Sequence, residues 1–118
     1  MTAQFNPTFD AITVEQLAER LKSQDDSAQL IDVREPEEVA LSSLEGFLNL
    51  PLSQFNEWSG QIFSQFDPQT ETIVLCHHGI RSAQMCQWLQ HQGFSQVKNV
   101  TGGIDAYSLR VDRSVPRY

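Results

Sequence analysis

Basic residues are scarce in this sequence: eight lysines and arginines stand against fifteen aspartates and glutamates, and the formal net charge is −7. Nucleic acids and anionic membrane surfaces are bound by basic faces, so binding to either is not expected. Long apolar runs are also missing, and none could span a bilayer. Residues 1–9 lack the basic start and apolar core of a secretory signal, so we expect a cytoplasmic protein.

Cysteines are equally few, and the two present, Cys76 and Cys86, cannot form a disulfide framework. We therefore expect reduced thiols, with Cys86 as buried packing rather than as a resolving thiol. Cys76, His77 and His78 could be taken for zinc ligands, but three consecutive residues do not match the spacing of structural zinc modules. No metal and no cofactor are expected.

The length of 118 residues, 40% of them apolar, predicts one domain over residues 1–118. Its core is expected at about 10–109, between a polar lead-in at 1–9 and a C-terminal tail at 111–118. We expect a monomer.

Hydrophobic patterns along the chain predict alternating strands and helices. Predicted strands cover 28–33, 47–50, 73–75 and 97–100. One predicted helix follows a capping pattern at Thr13, a second begins at Pro36, and a third covers the aromatic stripe at 55–66. Two more cover about 82–92 and 104–109. This alternation predicts an α/β fold of three layers, with a central, mainly parallel sheet of about five strands and helices on both faces.

Cys76 lies where the apolar strand 73–75 gives way to the helical pattern at 82–92. Backbone amides and the positive end of the helix dipole would then point at its sulfur and favour the thiolate. Gly79 permits a tight loop, and Arg81 adds a permanent charge suited to oxyanions. A cysteine at a strand end can also be a small buried hydrophobe. The glycine and the arginine together favour a nucleophile in an anion-binding loop.

Asp32 and Arg34 are charges at the end of another predicted core strand, where ligands gather in open α/β sheets. They could pair with each other or touch substrate, and we interpret them as bracing a neighbouring loop. Glu37 and Glu38, on the short helix that follows, are interpreted as solvated surface.

Several segments together resemble single-domain rhodaneses, a family of sulfurtransferases. The matching segments, in the order and spacing of that family, are 31–38, 46–52, 76–82, 93–94 and 102–104. The most specific is the loop with four residues between Cys76 and Arg81. Related phosphatases and arsenate reductases have a loop one residue longer, so phosphatase chemistry is not favoured.

The resemblance implies that Cys76 takes a sulfane sulfur from a small donor such as thiosulfate and becomes a persulfide. The acceptor that then removes the sulfur is a thiol, cyanide or a thiol protein. The implied substrate- and anion-binding loop comprises His77, His78, Gly79, Ile80, Arg81 and Ser82. Asp32 and Arg34 match positions that hold this loop in place. Two alternatives are a persulfide carrier loaded by a protein partner and a non-catalytic rhodanese-like binding or regulatory module.

Overall fold

The computed structural model describes residues 9–23 and 27–118, so most of the predicted lead-in, residues 1–8, lies outside the described residues. The strands are β1 (Asp10–Ile12), β2 (Gln29–Asp32), β3 (Leu48–Asn49), β4 (Thr72–Leu75) and β5 (Val97–Val100). The α-helices are α1 (Val14–Lys22), α2 (Pro36–Leu41), α3 (Phe55–Trp58), α4 (Ile62–Gln65), α5 (Ile80–His91) and α6 (Gly103–Arg110). Single 3₁₀ turns at Leu52–Gln54 and Ser59–Gln61 precede α3 and α4.

The five strands form one sheet in the order β1-β5-β4-β2-β3, and every neighbouring pair is parallel. The predicted α/β fold is confirmed. The edge strand β1 was not predicted, because three residues are too short for a period-2 pattern and two of them are exposed. It pairs with β5, which lies almost ninety residues later in the sequence.

Two apolar cores lie on opposite faces of the sheet, because successive strand residues point to opposite sides. In β4, Val74 packs in the core beneath α3, α4 and α5, whereas Ile73 and Leu75 pack in the core beneath α1 and α6. All three are completely buried. The strand that leads into Cys76 is therefore fixed from both faces.

Most predicted helices are confirmed, with two differences in their extent. Thr13 and Gln16 form the predicted capping box at the start of α1. The aromatic stripe at 55–66 is not one helix, since the 3₁₀ turn at Ser59–Gln61 separates α3 from α4. Gly60 lies within that turn, and glycine weakens a helix interior.

Helix α5 begins at Ile80, two residues before the predicted start near Ser82. Its first turn therefore contains Arg81, which the sequence pattern had placed before the helix, as well as Ser82. Gly79 precedes the helix with a φ of +98°, a value that favours glycine. The left-handed backbone conformation of Gly79 lets the chain turn from β4 into α5 within four residues.

The segment that follows α6 packs back against the molecule. Val115 is buried in the core beneath α1 and α6, and its carbonyl oxygen accepts a hydrogen bond of 2.6 Å from Ser108 Oγ. Arg117 Nε donates to Asp105 Oδ1 at 2.9 Å. These contacts bring Tyr118 to the carboxyl-terminal edge of the sheet.

Candidate functional site

Cys76 follows β4 directly and faces the start of α5. The Gly79 N–H donates to Cys76 Sγ at 3.0 Å, and Ser82 Oγ lies 3.2 Å from the same sulfur. Residue Cys76 is only 1% exposed. The sulfur is thus held by a backbone donor and a hydroxyl at a helix N-terminus, in a place that only a small group can reach.

Asn99, on β5, supports both partners of the sulfur. Its Nδ2 donates to the Gly79 carbonyl oxygen at 3.0 Å, and its Oδ1 accepts a hydrogen bond from Ser82 Oγ. Ser82 is completely buried. Asn99 was not identified from the sequence, because its only local signal is a polar residue inside a short predicted strand.

The N-terminus of α6 holds the backbone of the cysteine loop, residues 76–82. Ile104 N–H donates to the Cys76 carbonyl oxygen at 2.9 Å, and Asp105 N–H donates to the His77 carbonyl oxygen at 3.1 Å. A Cβ atom at Gly103 would overlap both of those carbonyl oxygens. The close approach of α6 to the loop therefore requires glycine at position 103.

Arg81 forms a bidentate ion pair with Glu38 on α2. Nη1 lies 2.7 Å from Glu38 Oε2, and Nη2 lies 2.9 Å from Oε1. The interpretation of Glu38 as solvated surface was wrong, since its carboxylate reaches across to the first turn of α5. The hydrogen bonds from Arg81 lower the pKa of Glu38 to about 2, and those same bonds raise the pKa of Arg81.

Asp32 and Arg34 pair with each other at the end of β2, with Nη2 of Arg34 lying 2.7 Å from Oδ2 of Asp32. Arg34 is completely buried and also donates to the Ser42 carbonyl oxygen at 2.7 Å and to Tyr118 Oη at 2.9 Å. Because Tyr118 in turn contacts Glu38, the pair connects to Arg81 through two intermediate side chains. Direct bracing of the cysteine loop by this pair remains a prediction.

Three rings stack at the mouth of the site. The His77 ring lies 4.0 Å from that of Tyr118, with an interplanar angle of 9°, and 3.9 Å from that of His78. Burial lowers the pKa of His77, and His78 lowers it further. His78 and Ile80 are exposed, Ile80 at 71%. Tyr118 was not identified from the sequence, since it lies in a segment without any periodic pattern.

The structure brings Cys76, Gly79, Arg81 and Ser82 together around the start of α5, whereas Cys86 lies on a later turn of that helix. Cys86 is completely buried in the core beneath α3, α4 and α5, and burial raises its pKa to about 12. Within residues 9–23 and 27–118, no group of three or more His, Cys, Asp or Glu side chains could hold a metal ion. No described helix is long and apolar enough to cross a membrane.

Comparison with known proteins identifies the family. The model of the rhodanese-like domain matches residues 13–110, which is most of the chain. The chain belongs to the rhodanese-like domain family. A solved structure of a rhodanese-related protein from Thermoplasma volcanium superimposes on this rhodanese-like domain with a TM-score of 0.69 at 28% identity, covering 92% of this chain and 96% of the other.

Two curated relatives are much longer than this rhodanese-like domain. The chain is 56% identical over 93 residues to the chloroplastic rhodanese-like/PpiC domain-containing protein 12 of Arabidopsis thaliana, covering 79% of this chain and 31% of that protein. It is 30% identical over 102 residues to the adenylyltransferase and sulfurtransferase UBA4 of Debaryomyces hansenii, covering 81% of this chain and 22% of that protein. The chain therefore spans about a third or less of these relatives, and it has a sulfurtransferase among its homologues.

Proposed function

We propose that this rhodanese-like domain is a sulfurtransferase that moves a sulfane sulfur through a persulfide on Cys76. The observation that supports it is the placement of Cys76 Sγ, which accepts the Gly79 N–H at 3.0 Å at the N-terminus of α5. A backbone donor and a helix dipole stabilise negative charge on a sulfur, whether it belongs to a thiolate or to a persulfide.

The first half-reaction is a displacement at the sulfane sulfur of the donor. The Cys76 thiolate attacks that sulfur, the donor S–S bond breaks, and its electron pair leaves with sulfite when the donor is thiosulfate. A Cys76 persulfide anion remains. The 1% exposure of Cys76 favours donors whose reacting atom is a single protruding sulfur.

The second half-reaction returns the enzyme to its starting state. A thiol or cyanide acceptor attacks the terminal sulfur, the S–S bond on Cys76 breaks, and the thiolate is regenerated. The Gly79 N–H, which contacts Sγ at 3.0 Å, is the hydrogen-bond donor that we assign to the negative charge on this sulfur in both half-reactions. Arg81 and the rim residues His77, His78 and Ile80 are the groups we assign to donor binding.

The test is the intact mass of the protein before and after incubation with thiosulfate, and again after a reductant. We expect a reversible gain of one sulfur atom that is lost in Cys76→Ser, together with saturable turnover of thiosulfate and cyanide. Substantial turnover in Cys76→Ser would overturn the assignment. No sulfur gain from thiosulfate or from a small hydropersulfide, despite a reactive thiol, would instead indicate a carrier loaded by a protein partner or a binding module.

A further inference from the structure

The positive charge of Arg81 is already compensated before any donor arrives. Both of its terminal nitrogens lie on Glu38, at 2.7 and 2.9 Å, in the bidentate geometry that makes arginine–carboxylate pairs strong. The pair is partly buried, with 35% of the Arg81 side chain and 20% of the Glu38 side chain exposed. A donor oxyanion that approaches Arg81 therefore meets a carboxylate beside it.

Glu38 is held in that position by two further donors. The Glu35 N–H donates to its Oε2 at 3.0 Å, and the Tyr118 hydroxyl donates to its Oε1 at 2.9 Å. Tyr118 is itself fixed, because its Oη accepts from Arg34 at 2.9 Å and its ring stacks on His77. Burial raises the pKa of Tyr118, so the phenol keeps the proton that it donates. Turning Glu38 away from Arg81 would break the hydrogen bonds that Glu38 accepts from the Glu35 N–H and the Tyr118 hydroxyl.

A second pair of opposite charges lies beside the mouth. Asp105 is paired with Arg117, at 2.9 Å between Oδ1 and Nε. His77 adds little positive charge at neutral pH because burial and His78 lower its pKa. A dianion would thus approach a thiolate on a chain of net charge −7 with the charges of Arg81 and Arg117 already paired, which leaves the Gly79 N–H and the start of α5 as the positive field at the sulfur.

We propose that Glu38, held in place by Tyr118, sets the charge class of the sulfur donor, and that the site takes sulfur from hydropersulfides of small thiols in preference to dianionic thiosulfate. This inference rests on the proposed function of Cys76. In the step it favours, the Cys76 thiolate attacks the terminal sulfur of R–S–SH, the donor S–S bond breaks, and R–S⁻ leaves with the electron pair. The proton of the donor stays on the new Cys76 persulfide, which ionises in the loop.

The test compares the rates at which thiosulfate and the hydropersulfide of 2-mercaptoethanol add one sulfur to Cys76, followed by intact mass. Glu38→Gln removes the negative charge with little change of shape. We expect it to raise the ratio of thiosulfate loading to hydropersulfide loading by about fivefold, the effect of one unit charge several ångströms away in a partly solvated site. Comparing ratios between variants cancels the intrinsic reactivity of the two donors.

Glu37→Gln is the matched control, since Glu37 is an exposed glutamate on the same helix. It removes the same net charge and should leave the ratio unchanged. Raising the ionic strength should bring the loading ratios of wild type and Glu38→Gln closer together, because salt screens the electrostatic effect of Glu38. An unchanged or lower ratio in Glu38→Gln, or an equal rise in Glu37→Gln, overturns the inference.

Tyr118→Phe tests the same idea without altering α2. It keeps the ring on His77 and removes the hydroxyl that donates to Glu38, so the ratio should rise in the same direction by a smaller factor. A ratio equal to that of wild type would overturn the part assigned to Tyr118. If neither donor loads Cys76 in wild type, the proposed function itself fails; if both load at a ratio that Glu38→Gln does not move, only this inference fails.

Discussion

Arg81 and Cys86 show how the position of a single side chain decides what its chemistry can do. Arg81 is a permanent cation at the rim, partly exposed and paired with Glu38. Cys86 is a thiol with no exposed surface at all. The sequence indicated Arg81 as an anion-binding residue and Cys86 as buried packing, and the structure gives each a separate prediction.

Replacing Arg81 by Ala should weaken the binding of anionic donors. The change removes the guanidinium N–H groups at the rim of the site and leaves the Glu38 carboxylate without its cation. A dianionic sulfur donor then meets net repulsion. We expect the KM for thiosulfate to rise about tenfold, as for the loss of one charged hydrogen bond, with a smaller change for a hydropersulfide. Steady-state kinetics with both donors measure this. A thiosulfate KM equal to that of wild type would remove Arg81 from donor binding.

Replacing Cys86 by Ala should leave sulfur transfer intact. Because burial raises the pKa of Cys86 to about 12, its thiolate is scarce at neutral pH and cannot act as a resolving nucleophile. We expect the sulfur gain and the turnover of Cys86→Ala to stay within about twofold of wild type, as for a mutation that does not touch the nucleophile. Mass spectrometry and turnover assays check this against Cys76→Ser. Loss of the persulfide signal in Cys86→Ala would show a redox partnership between the two thiols.

Secondary-structure elements that are distant in sequence build the site, and this sets how much of it could be predicted. The strand before Cys76, the start of α2 at Pro36 and the capping box at Thr13 were predicted from local patterns, because the causes are local. Strand β1 was not predicted, since its stability comes from pairing with β5. Asn99 and Tyr118 could not be identified as site residues either, because their roles depend on contacts with Gly79 and Glu38 that only the tertiary fold creates.

The contact between α6 and the cysteine loop yields a prediction at this scale. Gly103 has a φ of +64°, and a Cβ atom there would overlap the carbonyl oxygens of Cys76 and His77. Gly103→Ala should therefore lower the free energy of unfolding by about 2 kcal/mol or more and slow sulfur loading. Gly60→Ala is the control, since nothing lies within 4 Å of a Cβ at Gly60. Denaturant unfolding of both variants distinguishes them, and equal stabilities would refute the close packing described for α6.

The molecule as a whole is held partly by charges that join its elements. Glu71, just before β4, contacts Arg20 on α1 at 2.6 Å and Lys98 on β5 at 2.5 Å. The hydrogen bond from Arg20 is the largest cause that lowers the pKa of Glu71 to about 2. These contacts connect one helix layer to two strands of the sheet.

The stability of the fold should depend on the charge of Glu71 in a defined range of pH. A carboxyl whose pKa falls from 4.5 to about 2 on folding stabilises the fold above pH 4.5 and loses that contribution as pH falls from 4.5 through 2. Glu71→Gln should lower the free energy of unfolding by about 1 kcal/mol at pH 7 and by progressively less toward pH 2. Urea titrations at several pH values measure this, with the exposed Glu57→Gln as control. If the loss of unfolding free energy in Glu71→Gln did not become smaller at low pH, the electrostatic origin of the stabilisation by Glu71 would be contradicted.

The pairing of early with late segments in this all-parallel sheet determines when the surroundings of Cys76 are assembled during synthesis. Cys76 leaves the ribosome before Asn99, Gly103 and Tyr118, yet these residues fix its helix start, its loop backbone and the partner of Arg81. Contacts of high sequence separation form late in folding. A nascent chain therefore exposes an ordinary thiol, and the environment proposed for a persulfide is created only when the last strand and helix dock.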